Sequence, residues 1–226
     1  MRIFPSITTT DGVDWRRQIQ ELKELGLKEV CLFPTCLELK QRKELYKLLE
    51  TAGVENIPFV HLRSDMDIGE IEFFIKRYKT KVFNIHSRKK HQLDYDLSKF
   101  RSIIYLENHE LPTPEPEIKQ WAGICLDATH AERERLMRNK HFPNFLQLLE
   151  KYPCGCCHLS AIKPKLMIDP KTGEKSYEGH TFADLNEFDY VQCYQKFLPD
   201  IIALELENPI SEQLKAKEYL EKLLKV

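Results

Sequence analysis

The 226-residue chain contains no apolar run near the roughly 18 residues that cross a membrane. Its opening residues, Met1-Arg2-Ile3-Phe4-Pro5-Ser6, hold no stretch of secretion-signal length. It also lacks a surplus of either charge: 34 Lys plus Arg stand against 35 Asp plus Glu, for a net charge of −1. A protein that grips a nucleic-acid backbone through counterion release usually carries a basic excess, so the balance argues against a sequence-independent polyanion binder. A local basic rim inside a neutral total is compatible with it. Low-complexity segments, Gly/Ser linkers and shifts of composition are missing too, so residues 1–226 read as one domain. The seven cysteines are odd in number and lie in apolar runs rather than in a loop-rich framework. That pattern points to free thiols in a reducing compartment, and the expected location is cytoplasmic, with no membrane contact. What the chain does have is 42% apolar and 31% charged residues, enough for a full core and too charged for a membrane span. Collagen-like, disordered and transmembrane classes are excluded.

Eight short apolar runs recur: Ile3 to Ile7, Val30 to Pro34, Pro58 to His61, Val82 to His86, Ile103 to Glu107, Gly123 to Asp127, Cys154 to Leu159 and Ile201 to Leu206. Stretches of helical period lie between most of them, over Asp14 to Leu25, Leu39 to Ala52, Ile68 to Tyr78, Asn144 to Lys151, Phe188 to Leu198 and Ser211 to Leu224. The first shows Trp15, Ile19, Leu22 and Leu25 on one stripe, with Asp14 and Gly26 as cap signals. Asp94 to Phe100 and Pro114 to Trp121 have room for only a turn or two. Alternation of this kind closes as a (β/α)8 barrel or stays open as a doubly wound sheet. A barrel gathers functional groups from the C-terminal ends of many strands at one mouth, whereas an open sheet concentrates them at a switch point.

The last residues of six consecutive runs decide between these. The third run ends at His61, the fourth at His86, the fifth at Glu107, the sixth at Asp127 with His130 just beyond, and the seventh carries His158; the eighth carries Glu205. A lone polar residue at a strand end is usually a satisfied side chain or a helix cap. Six in succession are not explained that way. Buried carboxylates are costly unless cations neutralise them, and imidazole with carboxylate is the donor set of zinc or manganese. The pattern selects an α/β fold, a single compact (β/α)8 (TIM) barrel with short loops, about 28 residues per unit, and a metal site at its mouth. His109, two residues past Glu107, is a rim residue, and His91 and His141 sit in charged surroundings as surface residues. In the long connection from Leu159 to Phe188, Glu178-Gly179-His180 sets an acid and an imidazole on one side of an extended segment. Glu205 and Glu207 share a face by period two, which leaves either as the ligand of the eighth run. The Cys154-Gly155-Cys156-Cys157 run has no second cysteine pair to complete a structural zinc site, so it reads as small thiols inside a barrel strand, as do Cys31 and Cys36. Trp15 and Trp121 read as core or helix-packing residues.

The motifs resemble the xylose isomerase-like superfamily, and within it the endonuclease IV family of abasic-site DNA nucleases. They are His61, Asn84-Ile85-His86, Glu107-Asn108, Cys125-Leu126-Asp127-Ala128-Thr129-His130-Ala131, His158-Leu159 through Lys163, the Glu178/His180 pair, and Glu205-Leu206-Glu207-Asn208-Pro209. The resemblance covers roughly residues 57–225. It implies a trinuclear zinc site with nine ligands: His61, His86, Glu107, Asp127, His130, His158, Glu178, His180 and Glu205, in which spacing to Asn208-Pro209 picks Glu205 and leaves Glu207 at the rim. Two departures stand out. Glu178 replaces the usual Asp, and the segments after the first three runs, which enter the DNA minor groove in the nuclease family, are short.

Three functions follow from this reading. The first is a zinc-dependent phosphodiesterase holding up to three Zn2+, with abasic DNA as the substrate the resemblance implies. Glu107 would bridge two metals, and Asp127, His158 and Glu205 would complete the catalytic centre. Lys163, Lys165, Arg63, Arg88, Lys89 and Lys90 are candidate phosphate contacts, with Lys163 and Arg63 expected to face the mouth beside Glu207. The second is a sugar isomerase or epimerase using one Mn2+ or Mg2+ at Glu107, Asp127, His158 and Glu205, with His130 binding a small sugar. The third is a barrel that binds metal without turnover. Nothing in the sequence fixes an oligomeric state.

Overall fold

Each of the eight apolar runs forms a strand in the computed structural model, which describes residues 1–10, 12–168, 173 and 175–226. The strands are β1 (Arg2–Phe4), β2 (Ser6–Thr8), β3 (Cys31–Phe33), β4 (Phe59–His61), β5 (Val82–Ile85), β6 (Ile104–Glu107), β7 (Ile124–Asp127), β8 (Cys154–Leu159), β9 (Ala161–Ile168), β10 (Lys175–Gly179) and β11 (Ile201–Leu204). The first run is split because Pro5 has no N–H to extend the ladder. Its first half, β1, pairs with β11 and its second half, β2, pairs with β3, both parallel. The remaining order runs β11-β8-β7-β6-β5-β4-β3, all parallel, so the two halves of one run close a barrel.

Strand parity then sorts the side chains. Val60, Phe83, Leu106, Leu126, Cys157 and Leu204 point outward into the layer between barrel and helices. Their neighbours point inward, where Phe4, Cys31, Phe33, Phe59, Val82, Cys125, Cys156 and Ala203 form a separate apolar cluster with Tyr105 and Ile201 against it. Two residues further along the same strands, with the same parity, come His61, Glu107, Asp127, His158 and Glu205. Gly155 is required on β8, because a Cβ there would meet the Tyr105 ring at 1.9 Å.

The outer layer comprises α1 (Trp15–Glu24), α2 (Leu39–Thr51), α3 (Ile68–Tyr78), α4 (Glu115–Ile118), α5 (Ala128–Leu136), α6 (Phe142–Lys151) and α7 (Ile210–Leu224). Asp14 and Asp67 cap α1 and α3 by accepting the N–H groups of Arg17 and Glu70. Arg42 of α2, with its side chain wholly buried, is paired to Asp65 and Glu70 at 3.0 and 2.9 Å. It thereby ties α2 to α3 and to the loop after β4. Trp15 is buried in the core, and Trp121 is half-buried beneath the Arg88 guanidinium. No helix among the described residues is long and apolar enough to cross a membrane.

Four features depart from the sequence reading. Helix α5 begins directly after β7, with no apolar stripe to announce it. The long connection contains an antiparallel hairpin, β9 with β10. Leu185–Phe197, read as an α-helix over Phe188 to Leu198, is a 3-10 helix. Cys36 is exposed rather than interior; all seven cysteines are free.

Candidate metal centre

The inward parity of β4 to β8, with Glu205 just past β11, brings five of the expected residues around Glu107. His61 Nε2 and His86 Nε2 lie 3.1 and 3.2 Å from its two carboxylate oxygens and 3.2 Å from each other. The His61 Nδ1–H donates to the Leu62 carbonyl at 3.0 Å, which leaves Nε2 facing the acid. On the other side His158 Nε2 is 3.2 Å from Glu107, while its Nδ1 is 3.4 Å from Asp127 and 3.0 Å from Glu205. Two sets of side chains therefore offer ligand atoms within 4.8 Å of one another, His61 with His86 and Glu107, and Glu107 with Asp127 and His158. Asn84 fixes the shared carboxylate by donating its amide to Oε2 at 2.5 Å. Asp127 doubles as the cap of α5, accepting the His130 N–H at 2.7 Å. That cap places the His130 ring over the mouth.

A third set lies at the rim. His130 Nε2 is 3.0 Å from Glu178 Oε1 and His180 Nε2 is 3.9 Å from the same oxygen. The hairpin supplies both residues: Glu178 is the penultimate residue of β10, and His180 follows the strand. At the eighth run, Glu205 and not Glu207 reaches His158; Glu207 instead accepts a hydrogen bond from Thr10 Oγ1.

The donor set fits a cation. Neither ring nitrogen of His158, nor Nδ1 of His130, makes a properly angled hydrogen bond among the described residues, although carboxylate oxygens lie within 3.0 to 3.4 Å. Buried polar atoms are normally hydrogen-bonded, so nitrogens that converge on oxygens without doing so mark positions for an electrophile between them. The electrostatics agree. Burial favours neutral Glu107, but the His86 and His158 imidazoles outweigh it and hold the carboxyl well below the usual range. Burial dominates at Asp127 and raises it. Burial works against charged His158 and His130, yet the facing carboxylates push the first well up and the second up to about 9. Glu205 is brought down to about 2, against its burial, by His158 and His180. Without metal the carboxylates are thus neutralised by protons on imidazoles, and a bound cation takes the place of those protons.

The mouth is a cavity of about 400 Å³ lined by this cluster, except Asp127 and His158 beneath it, together with Thr35, Lys90, His109, Glu110 and Arg133. His109 sits between the rings of His86 and His130, 4.6 and 4.8 Å away, with Lys90 Nζ 2.9 Å from its Nε2. Burial and the neighbouring His130 lower it to about 3. His91 is exposed as expected, though its ring lies 5.3 Å from that of His86, and His141 lies at the start of α6. Arg63 lines an adjoining cavity beside His61, where it is committed to Asp65 and the Thr35 carbonyl. The structure does not bring Lys163 to the mouth: its ammonium pairs with Glu187 at 2.7 Å. Lys90 stood among six basic candidates, and Arg133 was missed altogether. The only signal for Arg133 is its position three residues after His130, on the same helical face.

No family model and no curated protein sequence matches the chain. Solved structures with similar folds include a xylose isomerase-like TIM barrel protein from Mycobacterium smegmatis in complex with magnesium, at 16% identity, covering 93% of this chain and 88% of that one with a TM-score of 0.48. The 3-keto-D-glucoside 4-epimerase of E. coli is 12% identical, with full coverage of both chains and a TM-score of 0.42. The IOLI protein with a bound zinc atom is 13% identical over 99% and 98% of the two chains, at a TM-score of 0.35. The closed strand order, and not these likenesses, carries the barrel.

Proposed function

We propose that the protein is a metal-dependent hydrolase that cleaves a phosphodiester, with His61, His86 and Glu107 holding one ion and Glu107, Asp127, His158 and Glu205 a second, while His130, Glu178 and His180 form a third set. The observation that carries this reading is the membership of Glu107 in two ligand groups. Adjacent cations are the arrangement suited to in-line displacement at phosphorus. Zinc suits the mix of imidazole and carboxylate. When bound, the ions would polarise phosphate oxygens and make a water nucleophilic at neutral pH.

The chain's own residues do the positioning. Asn84 holds Glu107 in one orientation, and the Leu62 carbonyl selects the His61 tautomer that presents Nε2. Lys90 at the rim is the cation nearest solvent on which an anionic substrate can rest. The connections after β2, β3 and β4, residues 9–14, 34–38 and 62–67, are brief and offer little surface to a duplex. A short or single-stranded diester is therefore favoured over abasic duplex DNA. The test incubates zinc-loaded and chelator-treated protein with bis(p-nitrophenyl) phosphate and, separately, with an abasic duplex. Diester cleavage that chelation abolishes and zinc restores supports the reading; no turnover of either substrate by zinc-loaded protein contradicts it.

A second reading is a sugar isomerase or epimerase with one Mn2+ or Mg2+ at Glu107, Asp127, His158 and Glu205. It is favoured by the size of the cavity, about 400 Å³, which suits a small sugar. Interconversion of an aldose and ketose without diester cleavage would select it. A protein that binds metal and turns over neither class is the non-catalytic barrel.

A further inference from the structure

The four carboxylates of the cluster differ in what faces them. Glu107, Asp127 and Glu205 form ion pairs only with histidines among the described residues. An imidazole can shed its proton and become a ligand. Glu178 has a different partner: Arg133 Nη1 lies 3.0 Å from its Oε2. A guanidinium keeps its charge at every accessible pH and has no lone pair to offer a metal.

We infer that Arg133 makes the third ligand set, His130, Glu178 and His180, the weak one, so that the protein holds two ions tightly around Glu107 and takes a third only at higher metal concentration. The inference rests on the metal reading above. Arg133 is anchored independently of Glu178. Its Nη2 donates to the His109 carbonyl at 3.1 Å, and Nε and Nη2 donate to Glu134 at 3.1 and 2.8 Å. Its side chain is only 16% exposed, so swinging away to admit a cation sacrifices these bonds in a confined space. The arginine also occupies Glu178 Oε2, which leaves Oε1, already 3.0 Å from His130, to serve an ion with His180. A dication about 5 Å from a fixed unit charge is bound roughly tenfold more weakly even at the dielectric of water, and more weakly still in a half-buried site. Glu134 offsets part of this charge, which keeps the set usable rather than closed. The first and second sets meet no such opposition.

Equilibrium dialysis against a series of buffered free-zinc concentrations, with metal counted by atomic emission, tests this on the intact chain. Wild type is expected to reach two ions per chain and to require at least about tenfold more free zinc for the third. Arg133→Gln removes the charge while retaining an amide that can donate to Glu178, and its third ion should bind at least about tenfold more tightly. Arg133→Lys retains the charge and should keep the two-plus-one isotherm. Thermal melts of the metal-free variants report whether each has folded, and the wild-type isotherm can overturn the inference even where a variant has not. Three ions of one affinity in wild type, or an Arg133→Gln isotherm superimposable on wild type, overturns the inference and leaves the metal reading standing. A chain that binds no zinc overturns both.

Discussion

The two ends of the barrel interior are built from the same strands, two residues apart, and have opposite chemistry. On β7 the inward positions are Cys125 and then Asp127; on β8, Cys156 and then His158; on β4, Phe59 and then His61. The floor is apolar, with buried thiols whose ionisation burial opposes, as at Cys31 and Cys125. The mouth holds carboxylates and imidazoles that are nearly as buried: Glu107 is 3% and His158 1% exposed. Burial therefore does not separate the two layers. What separates them is pairing. Each carboxylate at the mouth meets a group that carries or can accept a positive charge, whereas a charge at the floor would meet sulfur and aromatic rings.

The largest expected effect breaks the mouth. Glu107→Gln should weaken both ion sites and abolish most diester cleavage, with metal content per chain falling alongside; unchanged zinc stoichiometry would deny its shared place. The complementary change, Phe59→Ala at the floor, should cost about 3–5 kcal/mol in denaturant unfolding while zinc stoichiometry stays as in wild type. If it loses metal instead, the two layers are not independent. A third measurement varies pH. The folded pKa of His130, about 9 against 6.5 for the free side chain, means that its stabilising ion pairs are complete below about pH 6.5 and fade as pH rises through 9. Zinc must displace that proton, so the rise in melting temperature on adding zinc should be larger at pH 9 than at pH 6.5; an equal shift at both would contradict the exchange of protons for metal. The smallest effect is expected from Asn84→Ala, which removes the amide that orients Glu107 and should weaken zinc about 10- to 100-fold without changing its stoichiometry.

Much of this arrangement is legible in the amino-acid sequence. Short apolar runs that end in His61, His86, Glu107 and Asp127, or carry His158 one residue from the end, state both the strands and their inward parity, because a period of two leaves each of these residues one choice of face. The run at Ile201 to Leu206 left Glu205 and Glu207 equivalent by period, and the structure separates them because Glu205 meets His158 while Glu207 turns to Thr10. Other features depend on contacts that periodicity does not encode. Helix α5 is announced by no apolar stripe, because its inner face carries Thr129, His130 and Glu132; its start is set by the side chain of Asp127, which sequence reading had assigned to metal alone. The hairpin of β9 and β10 pairs half-buried and exposed residues, so no alternation of apolar and polar residues marks it. Lys163 was expected at the mouth from its motif, but Glu187, from the 3-10 segment, captures it. Arg133 was invisible for the same reason in reverse: its role depends on Glu178, 45 residues away.

The central claim is that cations sit on both sides of Glu107. Diffraction from crystals grown with zinc, recorded on the two sides of the zinc absorption edge, tests it directly. The account predicts two strong anomalous peaks about 3.5–4 Å apart, one against His61 and His86 and the other against Asp127, His158 and Glu205. A mouth without anomalous density, or a single peak in contact with only one of these sets, would contradict it.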